Sequence, residues 1–430
     1  MTPVWRMGRS ETAALLVVLS VLVLLPIGRT SELGIVIGAV VGLVLLLRHR
    51  FALFADPGLR LVVLLFAGYW FPILFSGFAS AAPQKTWMTA LDTLRFLPFA
   101  LFTAWALRRA SSWPPFVTAI AAVATLWLID AWVQFISGNS LGGAPELERL
   151  SGIFGADNLK LGPVLSVLSP FVLLVARERA GRVGLLLAYL VILVPVLLSG
   201  SRAAWLSYAL VSVVFAWQET RSLRRFLPLL LGVALGIGLS VGGIWRASDG
   251  FDARMERSLL ALQGTEHALD EASAGRIRIW NAAIAMFQAH PLTGVGVRGF
   301  RYVYADYSAA GDPFVDKASG IGASHAHQIV LEVLSETGLV GLMLWLGALT
   351  LALRAWWQAD ATQRARAFAP GLALVAMCFP LNTHFAFYSA WWGLFFWWLL
   401  AIYCAALAVP AQKIEGDATD NSRSKDQHSP

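Results

Sequence analysis

Six side chains combine types and spacing that could do chemistry together: Lys160, Arg202, Arg276, Arg278, His325 and His327. A histidine exchanges a proton near neutral pH. An arginine stays charged and offers a planar fork of donors to an anion. His327 and Arg202 each stand at the start of a long apolar run, where an ionisable group is unfavourable and usually faces an interior cavity. Each also has a plainer structural reading. An arginine at the end of a span can snorkel to headgroups, and a lone histidine can satisfy a helix end. His325-Ala-His327 could chelate a metal if extended, but no pair of carboxylates stands nearby to complete such a site, so no metal is expected.

The elements that must position these groups follow from composition. The chain has 430 residues, 57% of them hydrophobic and 14% charged, with a mean hydropathy of +0.65. A soluble domain carries roughly 25% charged residues, so the expected class is an all-α polytopic membrane protein. Cys378 and Cys404 are the only cysteines and sit in apolar segments, which leaves no disulfide framework. The net charge of +7 is explained by basic loops, with no nucleic-acid partner.

About twelve spans are expected, each needing roughly 20 apolar residues or somewhat fewer. They fall near 12–28, 32–47, 59–78, 87–107, 115–136, 161–176, 183–199, 203–218, 226–245, 328–353, 366–383 and 386–409. Arginines at 48, 108, 109, 177, 179, 182, 221, 224, 225, 354, 364 and 366 fall on one set of loops, which the charge bias makes cytoplasmic. Both termini then lie inside, and the first span is expected to be retained. Residues 1–244 hold nine spans, 245–324 a small helical extracytoplasmic domain, 325–410 three spans, and 411–430 a disordered cytoplasmic tail.

This topology brings further polar groups to the outer ends of the spans: Asp92 and Arg95, spaced i,i+3 for an internal ion pair, Asp130, and His384 in a short loop. "GVGVRG" at 294–299 has dinucleotide-loop spacing but lacks a strand before it, so its glycines are expected to form a tight turn after Pro291. The tryptophans near 391 and 397 are expected to pack and anchor spans.

Four stretches together resemble the O-antigen ligase and polymerase superfamily. "LLSGSRAAWLSY" places Arg202, and "GRIRIWNAAIAMFQAHPLTGVGVRGF" places Arg276 four residues before Trp280. "HQIVLEVLSETGLVG" fits the ligase pattern of His and Gln followed by two spaced glycines, here His327, Gln328, Gly338 and Gly341. "RLSGIFGADNLKLGPVL" is similar to the loop before the sixth span. Many relatives favour Asn after the histidine, where this chain has Gln328.

The resemblance implies an architecture like that of other lipid-using GT-C-like glycosyltransferases, in the bacterial inner membrane with a periplasmic active site. It implies transfer of glycan from undecaprenyl diphosphate-linked O-antigen to a hydroxyl of lipid A–core oligosaccharide in lipopolysaccharide biosynthesis. Inversion without metal or cofactor is expected. His327 is then the general base, and Arg202 and Arg276 hold the diphosphate with Arg278 and Lys160 as helpers. His325 orients His327, touches substrate or caps the helix. The alternatives are an O-antigen polymerase, a protein O-glycosyltransferase and a transporter of an anionic lipid.

Overall fold

The computed structural model describes residues 8–49, 57–144, 149–156, 158–247, 256 and 259–408. The expected disordered tail, 411–430, lies outside them. Among the described residues the chain is helical, with one isolated bridge between Ser140 and Gly143. The helices are α1 (Arg9–Val23), α2 (Ser31–His49), α3 (Pro57–Gly77), α4 (Pro83–Thr93), α5 (Phe96–Ala106) and α6 (Trp113–Ser137). They continue with α7 (Leu161–Leu198), α8 (Arg202–Thr220), α9 (Leu223–Ala247), α10 (Glu266–Ala272), α11 (Arg276–Ala289) and α12 (Phe300–Tyr307). The last three are α13 (Ile329–Gln358), α14 (Ala361–Cys378) and α15 (Ala390–Ala408).

Six of these, α2, α3, α6, α7, α13 and α15, are long and apolar enough to cross a membrane. The chain is a multi-pass membrane protein, and one of the six, α7, holds two expected spans. Three of the expected stretches show local features. The span expected at 12–28 is the 15-residue α1. The span expected at 87–107 is interrupted at Leu94–Arg95, between α4 and α5. Pro98 has no N–H to give the Leu94 carbonyl and its ring crowds that carbonyl, which ends the preceding helix. The spans expected at 161–176 and 183–199 run as α7, whose helical geometry fails at Ala180 and Gly181 (φ 64°). The chain reverses there: a side chain at Gly162 would meet Ser199 and Ala204, and Ser166 Oγ donates to the Ala204 carbonyl over 2.9 Å.

α15 is the hub of the core. Nearly all of it is buried, including Trp397 and Trp398 at 1% and 0% exposure. Trp398 donates to the Val18 carbonyl in α1, 2.8 Å away, and Trp397 stacks on Phe96. Asp92 and Arg95 form the expected i,i+3 pair, and Arg95 has a second, closer partner in Glu32. Arg95 lies 3.0 Å from Glu32 in α2 and 3.9 Å from the exposed Asp92.

A second, smaller core gathers Ile279, Ala283, Met286, Phe300, Tyr304 and Ala326, on and between α11, α12 and the start of α13. It falls mostly within the stretch expected as a separate domain.

α13 is broken at Gly338 (φ 63°, ψ −159°). The break frees backbone groups on both sides, and the segment after α11 takes them up. Leu339 and Val340 N–H donate to the carbonyls of Pro291 (2.8 Å) and Leu292 (3.2 Å). Val295 and Gly296 N–H donate to the carbonyls of Ser335 (2.8 Å) and Glu336 (3.0 Å). A side chain on Gly338 would strike the Leu292 carbonyl, and one on Gly294 (φ 63°) would strike the Glu336 backbone. The two glycine motifs are therefore two halves of one backbone dock, which pins the second core to α13.

Candidate functional site

The site is built at the N-terminal end of α13. His327 has φ 54°, a left-handed conformation that costs a non-glycine residue about 1–2 kcal/mol. It makes the turn into the helix, and Gln328 caps it: the Gln328 side-chain carbonyl accepts from Leu331 N–H over 2.6 Å. Glutamine at this position thus does the capping work for which asparagine is the commoner choice.

His327 Nδ1 lies 2.9 Å from the Thr383 carbonyl oxygen. A carbonyl only accepts, so Nδ1 carries the hydrogen and Nε2 of the neutral ring holds the lone pair. Burial lowers the His327 pKa, the charge of Arg276 acts the same way, and the Thr383 contact opposes both. The ring is therefore neutral near pH 7.

The Thr383 segment is fixed from the same helix. The buried Glu332 carboxylate accepts from the N–H groups of Phe387 (3.1 Å) and Tyr388 (3.2 Å). One turn on, the buried Glu336 carboxylate accepts from Arg298 N–H over 3.0 Å. The two glutamates hold the loops on either side of α13, and with them the partner of His327.

Arg276 is the first residue of α11 and is half-buried. Its pKa falls to about 10, because burial and the neighbouring Arg202 both disfavour its charge. Among the described residues no carboxylate pairs with it. Arg202 begins α8 behind Ser201, whose hydroxyl accepts from Ala204 N–H, and its guanidinium donates to the Ala272 carbonyl at the end of α10. Arg202 is thus close enough to disfavour the charge on Arg276.

His384 joins this group. Burial, then Arg276, His327 and Arg149, lower its pKa to about 4. Arg149 lies along Gly200, beside the turn that carries Arg202. Its loop is held by Gln134, whose carbonyl accepts from Ser151 and Gly152 N–H at 2.9 and 2.8 Å. Asp130, expected among the polar groups at the outer span ends, accepts from Leu141 N–H over 2.8 Å and fixes the same loop.

The structure therefore brings Arg202, Arg276, His327 and His325 together. The rings of His325 and His327 are 3.9 Å apart. His325 Nδ1 lies 2.9 Å from the Ser324 hydroxyl, and its Nε2 is buried without a hydrogen bond among the described residues. Burial, then His327 and Arg298, push its pKa well down. The other two candidates are engaged elsewhere. Arg278 pairs with Asp270 at 2.6 Å. Lys160 sits 4.2 Å from the Trp391 ring, and burial lowers its pKa. Among the described residues no three His, Cys, Asp or Glu side chains converge in a metal-holding arrangement.

Thr383, Glu332, Glu336 and Arg149 are the site residues that sequence reasoning left without a role. The glutamates had a readable signal, two acids one helical turn apart inside an apolar run.

A multi-pass helical membrane protein with a clustered arginine and histidine site at one end of its bundle is the class this geometry defines. Residues 187–346 match the family model described as O-Antigen ligase. The matched stretch includes Arg202, Arg276, His325, His327 and both glutamates, and ends before Thr383 and His384. No curated protein matches the chain. The family supports a glycosyltransferase-type enzyme of O-antigen or polysaccharide assembly.

Proposed function

We propose that this protein is an O-antigen ligase. It transfers glycan from undecaprenyl diphosphate to a hydroxyl of lipid A–core oligosaccharide, at the periplasmic face of the bacterial inner membrane. The observation that carries this reading is the polarised imidazole. His327 gives Nδ1–H to the Thr383 carbonyl and keeps Nε2 as a lone pair within electrostatic reach of Arg276.

The steps follow from charge. The acceptor hydroxyl donates to His327 Nε2 and attacks the anomeric carbon as the bond to the diphosphate breaks. The proton passes to Nε2, the new glycosidic bond forms on the opposite face of the sugar, and the electron pair leaves with the diphosphate. Arg202 and Arg276 receive that charge, which the forked guanidinium does best through paired hydrogen bonds. A positioned base contributes roughly 10²–10⁴-fold.

Donor binding also prepares the base. In the free site Arg276 disfavours the imidazolium. A diphosphate held at the arginines offsets that charge and makes His327 a stronger base when the donor is present. His325 and His384 line the approach as neutral donors or acceptors. The domain between spans nine and ten and the inward-facing termini belong to the same reading.

The test is transfer by purified protein from undecaprenyl diphosphate-linked glycan to lipid A–core. A product band on the core supports ligation. Lengthening of the lipid-linked glycan, with the core untouched, would show a polymerase.

A further inference from the structure

At the other end of the α7–α8 pair lies a second cavity, of about 520 Å3. It belongs to none of the chemistry above. The second half of α7 separates it from the Arg149–Gly200 contact: the 16 steps from Arg182 to Leu198 span about 24 Å of helix. That is most of the thickness of a bilayer's hydrocarbon core, ~30 Å.

The wall is apolar where the helices close on it, with Leu173, Leu185, Leu186 and Phe215. The mouth is polar, with Arg182, Glu219 and Arg225. Glu219 is already occupied. Arg177 Nε lies 2.7 Å from one of its oxygens and Arg182 Nε 3.6 Å from the other. Arg225 has no carboxylate partner among the described residues. Three arginines against one glutamate leave the mouth with a net charge of +2, counting 3 − 1. A second observation comes from inside. Tyr189 lines the cavity at 8% exposure together with Ser212, so the apolar depth carries two hydroxyls.

We propose that this cavity binds one anionic glycerophospholipid of the adjacent leaflet. An acyl chain enters between α7 and α8 along Leu173, Leu186 and Phe215. The ester or phosphate oxygens reach the Tyr189 hydroxyl, and the phosphate sits between Arg182 and Arg225. Apolar depth and cationic mouth together match a phospholipid, where a free anion would use the mouth alone. The cavity volume is within the ~300–1,000 Å3 of ordinary ligand sites.

The experiment is native mass spectrometry of the full chain in mild detergent, titrated with phosphatidylglycerol or with phosphatidylcholine of the same chains. One phosphatidylglycerol is expected to bind with a preference near 30-fold, from two arginines facing an anionic headgroup. Arg182→Gln combined with Arg225→Gln should abolish the preference. Leu186→Trp, at a site exposed enough to accept the ring, should block binding while leaving every charge in place. Equal binding of the two lipids, or a preference that survives both variants, would overturn the proposal. Displacement of the lipid by inorganic phosphate at equal concentration would also overturn it, by showing an anion site without an acyl chain.

Discussion

His327 Nδ1 donates to the Thr383 carbonyl over 2.9 Å, a contact between residues 56 apart in sequence. It joins the start of α13 to the loop between α14 and α15, and it decides which ring nitrogen can take a proton. The chemistry proposed for this protein rests on that contact and on the arginines beside it.

The first consequence is a pH dependence. The His327 pKa lies below the ordinary 6.5, so the neutral base persists at pH 6.5 and is lost only as pH falls through the lower value. The acid limb of kcat/KM, which reports the free enzyme, is expected below pH 6.5. The acid limb of kcat is expected higher, because bound diphosphate offsets Arg276. A kcat limb at or below that of kcat/KM would argue against coupling between donor and base.

Arg276 should act on the step in which charge develops. Arg276→Ala is expected to lower kcat by roughly 10²–10³-fold, the loss typical of one donor to a developing anion, with a smaller change in KM. Arg276→Lys restores the charge without the fork and should recover only part of the rate. Steady-state kinetics on the purified variants separates the two.

Glu332 is a positioning residue. Its carboxylate holds the Phe387 and Tyr388 amides, and Gln offers them only one oxygen. Glu332→Gln should cost about 1–3 kcal/mol of stability. It should also loosen the Thr383 contact, which raises the His327 pKa. The acid limb of the profile should therefore move to lower pH. A purely structural role would lower stability and leave the limb in place.

Gly338 should tolerate no side chain. Its φ of 63° and its closeness to the Leu292 carbonyl make Gly338→Ala strained and sterically blocked. Loss of the backbone dock should lower the thermal unfolding midpoint in detergent. Transfer should fall as well, since the dock holds α11, and so Arg276, against α13. A variant with normal stability and activity would show the dock to be dispensable.

Much of this was legible in the sequence, and the illegible parts share a cause. Arg202, Arg276 and His327 stand in local patterns at the starts of helices, where a charged or polar residue meets an apolar run. Hydropathy gave the helical membrane class for the same local reason. Thr383 could not be found that way, because its contribution is a backbone carbonyl and every residue has one. Arg278 and Lys160 look like Arg276 in sequence, yet Asp270 and Trp391 engage them. The break at Gly338 is silent too: a glycine within an apolar run reads as a continuing span until a second segment is seen docked into it. The interruption before Phe96 had a signal in Pro98, which the surrounding hydropathy outweighed.

The most direct test of the base assignment is in vitro transfer by wild type and His327→Ala, with lipid-linked glycan, lipid A–core and EDTA present. Wild type is expected to ligate under these conditions. His327→Ala, inserted and folded, should be slower by about 10²–10⁴-fold. Ligation by His327→Ala at the wild-type rate would contradict the account.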